Sequence, residues 1–233
     1  MLPKIDVPIF TVRLLSEDKP VRFRPFTVKE EKLLLMALQA DDEDAVLKTI
    51  KQVINNCLVS DIDIDKLPMF DIEYLFLQLR SVSVNNIVKV SYRDNEDNEI
   101  YDFDVDLSKI EVIIPKVEKK SMVDKNVGIL MRYAPASIVD EMDFTKIEND
   151  LLFDIILKCI DSIFDKEDVY DPATYTKEEL ESFLDNCGIK VLEKIQEFLQ
   201  NAPRMKYEID YTNKNGNSRK IVLDSLTDFF TLG

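Results

Sequence analysis

Hydrophobic positions along this chain recur with two periods, near 3.6 and 2 residues, and the switches between them mark out its elements. The densest helical pattern lies within residues 66–90. From residue 68 to residue 80, at 100° per residue, Met69, Ile72, Leu75, Phe76 and Leu79 line one side, and Phe70, Tyr74 and Leu77 line the other. Only narrow polar seams, Asp71 with Gln78 and Glu73 with Arg80, separate the two stripes. A helix of this kind needs cover on both sides, so the pattern predicts that it is the spine of the fold. Asn85 and Asn86 then turn the chain into a strand.

The chain opens with a predicted β-hairpin, residues 9–15 and 21–26, across the turn residues Ser16, Glu17, Asp18, Lys19 and Pro20. Thr27-Val28-Lys29-Glu30 fits a capping box, the threonine oxygen accepting from the Glu30 amide while the glutamate reaches back. The helix it starts runs through the apolar residues 33–38 to an acidic break at 41–44, and a second helix at 45–58 is expected to pack antiparallel to it. After the spine, Val88, Val90 and Tyr92 alternate with Lys89, Ser91 and Arg93, and residues 94–98 turn. The returning strand sets Tyr101, Phe103, Val105 and Leu107 against Asp102, Asp104 and Asp106, so one face is buried and one wet. Residues 110–114 read as a further short strand, and the polar stretch 117–126 as a mobile connection.

Beyond it the pattern predicts a strand at 127–133 and a long helix opening at a second capping-box match, Thr145-Lys146-Ile147-Glu148, with one apolar stripe through Ile163. A third match, Thr176-Lys177-Glu178-Glu179, opens a helix for which Gly188 is the expected stop. A helix burying Leu192, Ile195, Phe198 and Leu199 leads to a closing hairpin, 205–211 and 220–223, around the turn 213–217. Leu226, Phe229 and Phe230 form a short terminal anchor. The expected fold is α+β, helices packed with short antiparallel β-hairpins, in two lobes at 1–116 and 117–233. Phe76-Leu77-Gln78 precedes one tyrosine-bearing hairpin and Phe198-Leu199-Gln200 another. A repeated helix-plus-hairpin unit and a coincidence of two common supersecondary units both fit this echo.

Composition narrows the range of functions. At 233 residues the chain is long enough to bury a core without metal or disulfide help. Its 45 acidic and 30 basic residues give a net charge of −15. Such a surface repels phosphate backbones, and no cluster of Lys and Arg interleaved with aromatics offsets it, so nucleic acid is not an expected partner. No apolar run approaches the ~18 residues of a membrane span, and the N-terminus lacks the layout of a signal peptide, which points to cytoplasmic synthesis. The three cysteines, Cys57, Cys159 and Cys187, sit far apart in apolar patterns and read as buried reduced thiols.

The absence of histidine excludes Ser-His-Asp and Cys-His arrangements and a histidine general base. The four glycines compose no phosphate cradle. Asp61-Ile62-Asp63-Ile64-Asp65 has the opening rhythm of a calcium loop, but Lys66 stands where glycine is needed and Ile72 where the bidentate glutamate belongs. Residues 94–105 fail likewise at Glu99 and Val105. No catalytic, cofactor or metal site is expected, and the expectation is a protein that is not an enzyme.

Resemblance carries the reading further. The run Val21-Arg22-Phe23-Arg24-Pro25-Phe26-Thr27-Val28-Lys29-Glu30-Glu31-Lys32, with Leu67-Pro68-Met69-Phe70-Asp71-Ile72-Glu73-Tyr74-Leu75-Phe76 and Arg80-Ser81-Val82-Ser83-Val84, resembles the baseplate protein family of T-even-type contractile-tailed bacteriophages. That family comprises baseplate hub subunits and hub assembly factors. The similarity is clearest over residues 20–110 and continues more thinly to the closing hairpin and Leu226-Thr227-Asp228-Phe229-Phe230. Where some relatives carry paired cysteines of zinc-ribbon type, this chain has Val90-Ser91-Tyr92-Arg93-Asp94-Asn95, so no metal role carries over.

The resemblance implies a non-enzymatic component of the tail baseplate hub, assembled in the host cytoplasm, held in the virion tail baseplate and partnered by other hub proteins. A hub assembly chaperone absent from the mature virion is the alternative, and an unrecognised enzyme or ligand-binding protein a distant third. Arg22, Phe23, Arg24 and Phe26 are the candidate partner-binding residues, because Arg and aromatic residues are enriched in interface hot spots. The competing reading packs Phe23 and Phe26 in the core and points Arg22 and Arg24 to solvent.

Overall fold

The computed structural model describes residues 6–39, 43–138, 148–225 and 228–229. Among them the chain forms an α+β fold of six helices and eleven strands, the strands in small antiparallel sheets. They group into two compact units, one within residues 1–64, 70–113 and 203–233, the other within 65–69 and 114–202.

The first unit starts with a hairpin of β1 (Phe10–Arg13) and β2 (Pro20–Phe23), with Phe10 opposite Phe23. Strand β2 is shorter than the pattern suggests, because the Arg24 amide leaves the hairpin to donate to the Cys57 carbonyl at 2.9 Å and Pro25 has no amide to give. Helices α1 (Val28–Gln39) and α2 (Glu43–Cys57) pack on each other. The spine is α3 (Met69–Ser83): Ile72, Leu75, Phe76 and Leu79 on one side are at most 2% exposed. Leu77 on the other side is buried with Val88, Val90 and Val105 of the hairpin that follows, β3 (Ile87–Arg93) and β4 (Ile100–Asp106). Removing the Phe76 ring from such a setting would cost about 3–5 kcal/mol.

The boundary expected at residue 116 assigned the closing hairpin to the second lobe, whereas β10 (Arg204–Thr212) and β11 (Ser218–Leu223) belong to the first unit. Three residues cause this: β5 (Glu111–Ile113) pairs with the start of β10, Val112 opposite Met205, in a sheet of order β11-β10-β5. Met205, Ile221, Leu223 and Phe229 then share one core with Val88, Val90 and Val105. The hairpin turns use the left-handed region where it is cheapest, at Asp18 (φ 51°), Asn98 (φ 59°) and Gly216 (φ 82°).

The second unit is a four-stranded antiparallel sheet in the order β6 (Lys120–Met122), β7 (Gly128–Met131), β8 (Ile160–Phe164), β9 (Val169–Tyr170). Its core joins Ile129, Ile160 and Ile163 of the sheet to residues of α4 (Glu148–Lys158), α5 (Lys177–Asp185) and α6 (Ile189–Gln200). Two expectations change here. The long helix ends at Lys158, and Ile160 and Ile163 lie on a strand; β-branched residues suit a pleated surface, and a register shift between Leu130 and Met131 accompanies the burial of both. The stretch 117–126 contains β6 and is part of the sheet. Gly128 is required by a close approach: a Cβ there would lie 2.2 Å from Cζ of Phe164, its cross-strand partner.

Gly188 caps the start of α6, while α5 already ends at Asp185 with Asn186 as its cap. The capping-box match at Thr145 and the anchor residues Leu226 and Phe230 lie outside the described residues. The sequence echo has no matching packing. Leu77 of α3 packs with the core of the hairpin after it, but its counterpart Leu199 of α6 packs against the core of the second unit.

Candidate partner interface

The candidate motif Arg22-Phe23-Arg24-Pro25-Phe26 spans the end of β2 and the entry to α1, and its four marked residues have separate fates. Phe23 and Phe26 are buried. The Arg24 guanidinium donates to the Pro25 carbonyl at 2.9 Å, the Asn56 carbonyl at 3.0 Å and the Glu30 carboxylate at 3.0 Å. The Arg22 side chain is exposed, while its backbone amide is held by Ser60 Oγ at 2.9 Å.

Glu30 is 3% exposed and is the centre of this corner. Its Oε2 accepts from the Thr27 amide at 2.8 Å and the Thr27 hydroxyl at 2.5 Å. The reach-back half of the expected capping box is present, and the threonine hydroxyl donates to the glutamate where it was expected to accept from the Glu30 amide. Burial pushes the Glu30 carboxyl up, but Arg24 and the two Thr27 donors outweigh it and bring the group to about 2, against 4.5 ordinarily. Cys57 lies beside this pair, and burial raises its thiol to about 11.

Sequence reasoning took Asp71 for part of a polar seam, yet it is fully buried. It accepts from the Leu15 amide at 2.7 Å and from the Ser16 hydroxyl, tying the first hairpin turn to the spine helix. Burial is the largest influence on its carboxyl and leaves it above the usual carboxylate range despite these donors.

The tips of hairpins β3–β4 and β10–β11 are clasped by a second polar set, in the stretch where the resemblance would place cysteines. Asp94 has no exposed surface; it accepts from the Tyr211 hydroxyl and from the Glu96 amide at 2.7 Å, and Arg219 Nε stands 3.2 Å away. Glu96 accepts from Asn213 at 3.0 Å, Asp97 from the Lys214 amide at 3.0 Å, and Asn95 from Arg219 at 2.6 Å. The Tyr211 ring rests against Tyr101 at 4.9 Å and Phe103 at 5.3 Å. Burial first, then the bond to Asp94, raises the Tyr211 hydroxyl to about 12, so it stays a donor. These charges are consumed by one another, as in a structural clasp. No local sequence pattern reveals it, because its halves lie more than 110 residues apart.

The second unit carries a different surface. A cavity of ≈390 Å³ opens between β8–β9 and the start of α5, walled by Val127, Ile163, Tyr170, Tyr175, Leu180 and Phe183. Asp165 and Glu179 stand at its edge. Asp165 is fixed by the Glu167 and Asp168 amides at 2.8 and 2.9 Å and by the Tyr170 hydroxyl at 2.8 Å, and the amides do most to hold its carboxyl below the usual range. Glu179 is fixed by the complete capping box with Thr176.

Among the described residues, no helix is long and apolar enough to cross a membrane. Comparison with curated proteins and with solved structures gave no match. A family model described as T4 bacteriophage base plate protein matches residues 7–231, which covers both units and both hairpins of the clasp. On that match over nearly its whole length, the chain belongs to the T4 bacteriophage base plate protein family.

Proposed function

We propose that this baseplate protein is a component of the hub, works through contacts with other hub proteins and catalyses no reaction. The observation that carries the reading is the family match over residues 7–231. Two features of the chain agree with it. The buried carboxylates Glu30 and Asp94 are engaged with internal partners, Arg24 and Tyr211, and one recess of the second unit has mainly apolar walls. On this reading the chain is made and assembled in the host cytoplasm, binds no nucleic acid and remains in the virion tail. The net charge of −15 favours a second reading, an assembly chaperone that must stay soluble before the hub forms.

Quantitative mass spectrometry of purified virions and of baseplate intermediates separates the two. A fixed small copy number in virions is the result expected of a hub component. Enrichment in intermediates with loss from virions would make it an assembly chaperone, and absence from both would overturn the hub reading.

A further inference from the structure

We infer that the cavity between β8–β9 and α5 is a docking site for another protein's segment, which inserts one large apolar side chain and carries Lys or Arg beside it. This rests on the reading of the chain as one that works by protein contacts, and adds where one such contact is made and with what chemistry.

Shape and lining fix the anchor. At ≈390 Å³ the space lies near the lower end of the range for ligand cavities, and its walls are aliphatic and aromatic. Side chains inserted in such recesses dominate interface energies, because both surfaces are fully desolvated. Tyr175, itself 41% exposed, and Leu180 also wall an adjoining cavity of ≈330 Å³, whose charges are balanced, Asp154, Asp161 and Asp171 against Arg132, Lys158 and Lys177, so that only the first cavity has a purely acidic charged lining. Two recesses side by side suit an extended chain segment better than one small molecule.

Charge fixes the flanks. Residues 160–185 contain nine acidic and two basic residues. Of those two, Lys177 is already committed to Asp154 and to Glu181 at 3.4 Å. Asp165 and Glu179 are pinned at the edge by local hydrogen bonds, so their charge is held in place before any partner arrives. A basic residue beside the anchor meets this field, and an acidic one is repelled.

The full chain, labelled with ¹⁵N, is titrated with two blocked hexapeptides that share a Leu-Phe centre, one flanked by lysines and the other by glutamates. The lysine peptide is expected to shift the amides of Tyr170, Tyr175, Leu180 and Phe183 and to bind about tenfold more tightly than the glutamate peptide, from two exposed charge pairs each in the middle of their usual range. Asp165→Asn with Glu179→Gln keeps an oxygen for the Glu167, Asp168 and Thr176 amides, gives up the donation from the Tyr170 hydroxyl, and is expected to shrink that preference to about twofold or less. Tyr175→Ala, at an exposed position, is expected to weaken both peptides. Equal affinities, shifts confined to other surfaces, or no binding at low-millimolar peptide would overturn the proposal. Peptide binding by a chain that virion mass spectrometry fails to find would remove the hub reading and leave the docking site standing.

Discussion

Replacing Glu30 with glutamine removes the charge on α1 that pairs with Arg24 just after the first hairpin. Glutamine keeps the size of the side chain and can still accept from the Thr27 amide, but it ends the ion pair with Arg24. The fall of the carboxyl from 4.5 to about 2 corresponds to about 3 kcal/mol at 1.36 kcal/mol per decade. Arg24 keeps 27% of its side-chain surface, so solvent screening lowers the expected loss to about 2 kcal/mol. The sign is set by the direction of the shift. A depressed carboxyl stabilises the fold above its unfolded value near 4.5, and that contribution is lost as pH falls from there to about 2. Urea unfolding of the parent and Glu30→Gln, followed by tyrosine fluorescence, should therefore show a gap of about 2 kcal/mol at neutral pH that narrows by about half near pH 3. Equal stabilities at neutral pH, or a gap that does not change with pH, would refute the reasoning.

Asp71→Asn should behave in the opposite way. A raised carboxyl adds stability below its unfolded value and loses it as pH rises through the folded one, so a neutral amide that still accepts from Leu15 should leave the neutral-pH urea midpoint unchanged or higher; a clear drop would count against a costly buried charge. Arg22→Ser should leave that midpoint unchanged while Arg24→Ser lowers it, because among the described residues the Arg24 side chain has internal partners and that of Arg22 is exposed; equal losses would mean that the Arg22 side chain is also part of the fold. A thiol reagent on the native chain should label Cys187 first, and Cys57 and Cys159, each raised to about 11 by burial, only on unfolding; early labelling of either would show an opening at those sites. Tyr211→Phe takes a donor from the fully buried Asp94 and should lower the melting temperature, an effect that a paired Asp94→Asn change should reduce; additive losses would exclude the clasp as a unit.

The sequence made legible those features whose causes are local. The spine helix, the alternation of β3 and β4 and the Thr176 cap all depend on residues within a few positions of one another, and each formed as expected. The misread elements have the opposite property. Ile160 and Ile163 fit a helical stripe as well as a strand, and it is pairing with β7 that makes them a strand. The strand at β5 formed where residues 110–114 predicted one, but its pairing with β10, more than 90 residues on, was not legible and draws the closing hairpin into the first unit. Asp71 looked like a seam because its partners Leu15 and Ser16 lie 56 and 55 residues away. Of the candidate motif, burial of Phe23 follows from alternation with Val21 along β2, whereas Phe26, three residues on and beyond the strand, is out of that alternation, and the different fates of Arg22 and Arg24 depend on Glu30 and Asn56, which no spacing rule ties to them.

The way this chain deploys carboxylates separates the parts that hold it together from the part offered to others. In the first unit Glu30, Asp71 and Asp94 are buried, and each is answered by donors within the same unit. A buried carboxylate without such donors would cost several kcal/mol, so these positions are bound to the fold and are poor places for a partner to compete. At the edge of the apolar cavity in the second unit, Asp165 and Glu179 are held by neutral amides and hydroxyls, which orient a carboxylate without cancelling its charge. A partner's cation can therefore still meet a full negative charge there, with the apolar anchor excluding water beside it. The excess of acid over base in this family member has two physical roles, internal tether and external field, and only the second can recognise another protein.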